Sequence, residues 1–180
     1  MLSAFFKRSS STTSPQQLYG SVMTQARSPE FFTNFGMPDT VMGRFDVLSL
    51  HIYLLARRFR EEGSPIAMDL SQEVFDLYVY DVERALRELG IGDTSVPKKK
   101  KKMIRSFYGQ IDDFDEAINT NDEDEISTKV KLRYLSETEN PNPQILTSYI
   151  LKTEAYLKEQ SMKALLSGEV TWLSPEKFSA

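Results

Sequence analysis

GMPDTVMGRFDVLSLHIYLLARRF, residues 36–59, is the stretch whose reading decides the fold. From Val47 to Ala56 it carries no charge, and Val41, Phe45, Leu48, Ile52, Leu55 and Phe59 recur at steps of four and three, the repeat of one helical face. Leu50 and Leu54 fall off that stripe, so apolar residues cover more than one side. The spacing predicts a buried helix, from near Asp39 to Gly63, that touches several neighbours at the centre of the fold. Asp39, Arg44, Asp46 and His51 sit in or beside it where a plain core helix needs none of them. They are the first candidate cluster.

Outward from this segment, nearly every stretch has helical period and punctuation. Leu18, Tyr19, Val22, Met23 and Ala26 form one short amphipathic face, and Ser28-Pro29 starts a second element that Gly36 ends. A long helix is expected from about Leu70 to Leu89, with Gly90 as terminator and the four-spaced pairs Glu83/Arg87 and Arg84/Glu88 on its solvated face. The next starts near Pro97 and uses Met103, Phe107, Ile111, Phe114 and Ile118. Gly109 inside it predicts a kink or close packing. Ile126, Val130 and Tyr134 mark a weaker helix before Pro141 and Pro143, and a last long one is expected from Gln144 to Leu166, ended by Gly168. No alternating strand pattern with hairpin turns and no repeat is present, so the fold class is all-α, a single compact multi-helix domain.

Composition bounds the rest. A chain of 180 residues is enough for one domain, expected to bury about 70% of its unfolded surface without staples. Zero cysteines remove disulfides, thiolate nucleophiles and cysteine zinc sites together. The ten uncharged residues 47–56 extend about 15 Å as a helix, half of a bilayer core, so no membrane span is expected. Residues 1–17 run from an apolar start through Lys7 and Arg8 into Ser and Thr, and read as a flexible N-terminal tail. Their basic residues follow the apolar run, the reverse of a secretory signal. Residues 18–168 read as the helical domain and 169–180 as a C-terminal tail.

Chemistry is scarcer. His51 is the sole histidine, so a histidine-rich metal site is excluded, and no cofactor is expected. Arg44 and Arg58, seven residues to either side, share its helical face and disfavour imidazolium, which makes a neutral, hydrogen-bonded histidine at a helix interface the reading. Asp39, Arg44 and Asp46 are expected to form a half-buried ion-pair network at the start of the central helix. Lys98, Lys99, Lys100, Lys101 and Lys102, followed by Arg105, wrap around a helix start and offer contact to anionic lipid or to RNA phosphates. Aromatic interleaving is absent there, which argues against sequence-specific nucleic-acid recognition. The acidic stretch from Asp112 to Glu125 lacks the glycine and ligand spacing of a calcium loop.

The strings QARSPEFFTNFGMPDTVMGRFDVLSLHIYLLARRF, FDLYVYDVERALRELGIGDTSVP and KKMIRSFYG resemble, in order and spacing, the ubiquinol-cytochrome c chaperone family. The likeness is close from Leu18 to Ile118 and looser beyond. The family's signature positions that match are Pro38, Asp39, Gly43, Arg44, Phe45, Asp46, His51, Asp76, Asp81, Arg84, Leu86, Arg87, Glu88, Gly90, Gly92 and Asp93. Val82 and the segment Thr94-Ser95-Val96-Pro97 depart from it, standing where the family more often has methionine and a glycine-containing loop. The resemblance implies a non-enzymatic chaperone of the bacterial kind. Such a protein receives newly made cytochrome b for assembly of respiratory complex III, alongside a small partner protein and the ribosome in mitochondrial relatives. It implies a cytoplasmic location, peripheral at the inner membrane, where the Lys98 to Lys102 run is expected to contact anionic lipid.

Two other readings stay open. A small hydrolase or lyase would use Asp39, Asp46 and His51, and an inward cluster of the three around a cavity favours it. A ribosome- or RNA-binding adaptor would use Lys98 to Lys102.

Overall fold

A helix that is apolar on every side has one place in a fold, the centre. The computed structural model describes residues 13–139 and 141–178. These form α1 (Ser14–Ala26), α2 (Glu30–Thr33), α3 (Val41–Glu62), α4 (Pro65–Glu88), α5 (Val96–Thr120), α6 (Glu123–Tyr134), α7 (Pro143–Glu159), α8 (Met162–Leu166) and a 3-10 turn, Pro175–Lys177. No strand occurs among the described residues, as the all-α reading expects. α3 packs against α1, α4, α5 and α7, and its residues 47–55 are buried without a break. α6 lies outside this shell and bridges α5 and α7.

Local chemistry sets the boundaries. α3 starts at Val41 because Thr40 takes the N-cap, its hydroxyl accepting the Gly43 N–H at 3.1 Å. Gly43 is required by contact, since a Cβ there would stand 1.9 Å from the Pro38 carbonyl oxygen. The turn into α4 takes two residues: Gly63 adopts φ +68°, a conformation that disfavours any side chain, and Ser64 caps α4 ahead of Pro65. That cap starts α4 five residues before the expected Leu70. Around Gly109 the neighbours stand back, the nearest being the Arg133 guanidinium 3.9 Å from a would-be Cβ, so close packing does not explain this glycine.

Both ends of the chain depart from the expected tails. α1 begins at Ser14 with Thr13 as its N-cap, so residues 13–17 belong to the fold, while the rest of the expected N-terminal tail, residues 1–12, lies outside the described residues. The expected long last helix is broken at Gln160, whose backbone is extended (ψ 140°). Its side-chain amide clamps the returning chain, donating to the Thr171 carbonyl at 2.8 Å and accepting the Thr171 N–H at 2.9 Å. Residues 169–178 therefore fold back onto the core rather than forming a free tail, with Glu169, Thr171, Glu176 and Lys177 left exposed. Val170, Trp172 and Leu173 pack against it, Phe178 is buried in it, and the Trp172 indole N–H donates to Ser21 Oγ at 3.1 Å.

On the opposite side α3 is locked by charge. Arg57, 4% exposed, donates to Glu154 (3.2 Å), Asp115 (3.1 Å) and Asn119 (2.6 Å), and pairs with Glu61 (3.2 Å). Arg60 and Tyr53 also donate to Asp115, and Lys158 pairs with both Glu61 and Glu154. The network joins α3, α5 and α7. Removing its centre leaves Asp115 with Arg60 and Tyr53, and Glu61 and Glu154 with Lys158, but loses the buried hydrogen bonds that Arg57 itself makes, so Arg57→Ala should cost about 2–3 kcal/mol in urea unfolding at neutral pH. A loss below about 1 kcal/mol would show that the network is solvated like an ordinary surface cluster.

Candidate functional site

α1, the start of α3 and the end of α4 leave an open groove of about 310 Å³ between them. Its floor and walls are apolar: Met23 and Ala26 from α1, Val41, Phe45 and Leu48 from α3, and Ala85 from α4. Its rim is charged, with Arg27, Arg44 and Arg84 facing Asp81 and Glu88. The heptad-like spacing of Asp81, Arg84, Ala85 and Glu88 puts one polar face of α4 along this wall. Asp81 is fixed from two sides, accepting the Tyr19 hydroxyl at 2.9 Å and pairing with Arg84 at 3.0 Å. Burial, then the Asp81 carboxylate, pushes Tyr19 ionisation well up, so that hydroxyl stays a donor. Arg44 donates to Asp39 at 2.8 Å and lies 5.1 Å over the Phe32 ring. The groove thus collects Arg44, Asp81, Arg84 and Glu88, with Asp39 attached through Arg44.

The remaining signature residues go elsewhere. Arg87 turns to the other side of α4, pairing with Glu83 (3.1 Å) and with Asp93, while Glu83 also takes Lys100 at 2.5 Å. These pairs hold the start of α5 to the end of α4. Asp76 accepts from Gln72 at 2.8 Å on the exposed face of α4. Gly92 has open space where a Cβ would be, and its carbonyl accepts the Ser95 N–H at 2.8 Å to lead into α5.

Asp39, Asp46 and His51 are not brought together. Asp46 and His51 are five residues apart on one helix, about 140° around it, and Asp39 precedes the helix. Asp39 and Arg44 pair at 57% exposure each, so the expected half-buried network is a surface pair without Asp46. Asp46 instead lines a small cavity of about 20 Å³ with Ser49, Tyr78, Ser106 and Arg133. Burial pushes its carboxyl up to about 6, against the opposing pull of Arg133.

His51 is fully buried. Its Nδ1–H donates to the Val47 carbonyl at 2.7 Å, and Nε2 accepts the Tyr149 hydroxyl at 2.7 Å. Tyr149 in turn accepts from Gln25, which also donates to the Leu173 carbonyl at 2.8 Å. Phe31 and Trp172 each stand edge-on to the imidazole with ring centroids at 5.2 Å. This is the neutral interface histidine expected from sequence, but burial, rather than the arginines, lowers its pKa to about 4.

Tyr19 and Met23 lie on the core-facing side of α1 that the periodicity predicts, and they also line the groove because α1 leaves part of α3 uncovered there, which periodicity does not reveal. Arg57 breaks no period, although a cation so close to an uncharged run is itself a signal for buried pairing.

The two titrations have opposite signs. Between pH 6.5 and about 4 unfolded imidazole binds a proton that folded His51 refuses, so acidification removes up to about 3 kcal/mol. Between about pH 6 and 3.8 folded Asp46 holds a proton that the unfolded chain releases, so acidification restores stability there. Urea midpoints from pH 7 to 4 should fall less steeply in His51→Asn than in the wild type and more steeply in Asp46→Asn. Parallel curves for all three would contradict both assignments.

The ubiquinol-cytochrome C chaperone family profile matches residues 33–172. Over 158 residues, 87% of this chain, it is 27% identical to ubiquinol-cytochrome c reductase complex assembly factor 1 of Mus musculus and covers 53% of that protein. Against the Xenopus laevis protein of corresponding name it is 28% identical over 147 residues, 79% of this chain and 72% of that protein. The chain spans about half the length of the mammalian relatives it matches. The crystal structure of the Cbp3 homolog from Brucella abortus superimposes with a TM-score of 0.84 at 34% identity, covering 92% of each chain. With more than half of its length matched by the profile, the chain belongs to the ubiquinol-cytochrome C chaperone family.

Proposed function

We propose that this chain is a non-enzymatic assembly chaperone for ubiquinol-cytochrome c reductase, respiratory complex III, and that it holds newly made cytochrome b through the groove of α1, α3 and α4. The observation that carries this reading is convergence. Arg44 on α3 and Asp81, Arg84 and Glu88 on α4 lie far apart in sequence, yet they rim one apolar groove. A polytopic client exposes apolar surface before assembly, and covering it yields about 25 cal/mol per Å² without any directional requirement. Met23, unbranched and polarizable, adapts the floor to differing side chains, while the arginines and carboxylates of the rim orient polar client loops. Release then falls to competition by the next assembly partner. The work takes place at the cytoplasmic face of the inner membrane, where the client is inserted. Among the described residues no helix is long and apolar enough to cross that membrane.

The hydrolase reading loses its premise, because His51 has no exposed surface and its candidate partners face elsewhere. A deletion strain should lose complex III and the cytochrome b absorbance while other haem proteins persist. Complementation with wild type should restore both. Complementation with Arg84→Glu plus Met23→Asp, expressed to the same level, should restore less than about a tenth, as expected when a central contact worth more than about 1.4 kcal/mol is reversed. Normal complex III in the deletion strain, or full rescue by the double variant, would overturn the assignment.

A further inference from the structure

We propose that the end of the bundle made by the start of α3, the end of α4 and the start of α5 is a docking pole for an anionic lipid surface. That the pole holds the mouth of the groove at the bilayer rests on the function proposed above; the docking itself does not.

These three helix ends share one pole because α3, α4 and α5 run alternately up and down. Side chains confirm the juxtaposition. Lys100 of α5 pairs with Glu83 of α4, Met42 of α3 and Met103 of α5 line one cavity, and Val41 and Glu88 meet in the groove. At this pole Lys98, Lys101, Lys102 and Arg105 follow at offsets of three, four and seven, which places them on one outward stripe about 10 Å long. The lysine run therefore does present a stripe once Arg105 is included, which corrects the expectation that it only wraps the helix. The opposite face of the same helix is buried through Val96, Met103 and Phe107. All four cations are exposed, and among the described residues none of them enters an ion pair, in contrast to Lys100.

Two further features favour a lipid surface over a nucleic acid. Val41, Met42 and Leu89, at 45%, 53% and 51% exposure, present apolar surface at the same pole. Polyphosphate backbone offers such side chains nothing, whereas the region below a headgroup layer receives them. The charge is also polarised along α5, whose far half carries Asp112, Asp113, Asp115 and Glu116. Along the axis Asp112 stands about 10 Å from Arg105 and about 21 Å from Lys98, between one and three Debye lengths at physiological salt, so the acidic half weakens the field of Arg105 most and that of the lysines less. A net charge of −4 thus coexists with one attracting end.

The test is co-sedimentation of the full chain with phosphatidylcholine vesicles, with and without phosphatidylglycerol, at low and physiological salt. The wild type should bind only the anionic vesicles, and less at higher salt. Lys98→Gln, Lys101→Gln, Lys102→Gln and Arg105→Gln combined should weaken binding by about tenfold or more, and Met42→Ser with Leu89→Ser should weaken it independently. Unchanged thermal melting verifies that these exposed substitutions leave the fold intact. Equal binding by the quadruple variant, binding insensitive to salt and lipid charge, or tighter binding of single-stranded RNA than of anionic vesicles would each overturn the proposal. Capture of a cytochrome b transmembrane peptide in detergent reads the groove separately. The quadruple variant should retain that capture, and Arg84→Glu should lose it while keeping vesicle binding.

Discussion

Everything in this molecule follows from burying the middle of α3, residues 47–55, while it and its flanks still carry polar groups. An unpaired polar group in such a position costs several times what a satisfied one contributes. Each therefore reaches into a neighbouring helix. Ser49 shares a 2.7 Å hydrogen bond with Tyr78 of α4, His51 takes Tyr149 of α7, and Arg57 spans α5 and α7. Apolar packing brings the helices together, and these directional contacts fix which side of α3 faces which partner. They also explain the returning C-terminal segment. Tyr149 is held by Gln25, Gln25 by the Leu173 carbonyl, and Trp172 and Phe31 close over His51.

The restraints are distributed unevenly, and the unevenness has a functional side. Around the second half of α3 the charged network ties it to α5 and α7, whereas around its first half the short helix α1 leaves Phe45 and Leu48 reachable from outside. At the edge of that apolar floor Asp81 ties α4 to α1 through Tyr19 and also pairs with Arg84 of its own helix. A rigid half and an open half suit a protein that must hold a client without rearranging its own core.

Periodicity and caps made most of this fold legible in advance. Steps of three and four placed α3, α4 and α5, and Gly63 marked the end of α3, whereas the Ser64 cap that starts α4 at Pro65 lies ahead of the apolar period and escaped it. What stayed hidden was set by tertiary contact. Gln160-Ser161 contains neither glycine nor proline, and the break there is stabilised by bonds from Gln160 to Thr171, eleven residues later in the returning chain. Residues 169–178 have no helical period, and only their aromatic residues Trp172 and Phe178 hint that they pack on the core. The resemblance marked Arg44, Asp81, Arg84 and Glu88 but not the groove between them, which exists only once α1 lies across α3 and α4. Asp39, Asp46 and His51 were close in sequence and diverge in space, because five residues of helix turn Asp46 away from His51.

A chaperone whose client surface is this groove should be found with cytochrome b lying in it. Photo-crosslinking during cytochrome b synthesis, with the reactive residue placed singly at Met23, Glu88 or, on the outer helix α6, Thr128, reads that directly. Adducts with newly made cytochrome b at Met23 and Glu88, and none at Thr128, are the result this structure predicts. Adducts at Thr128 with Met23 and Glu88 silent would place the client on another face and contradict it.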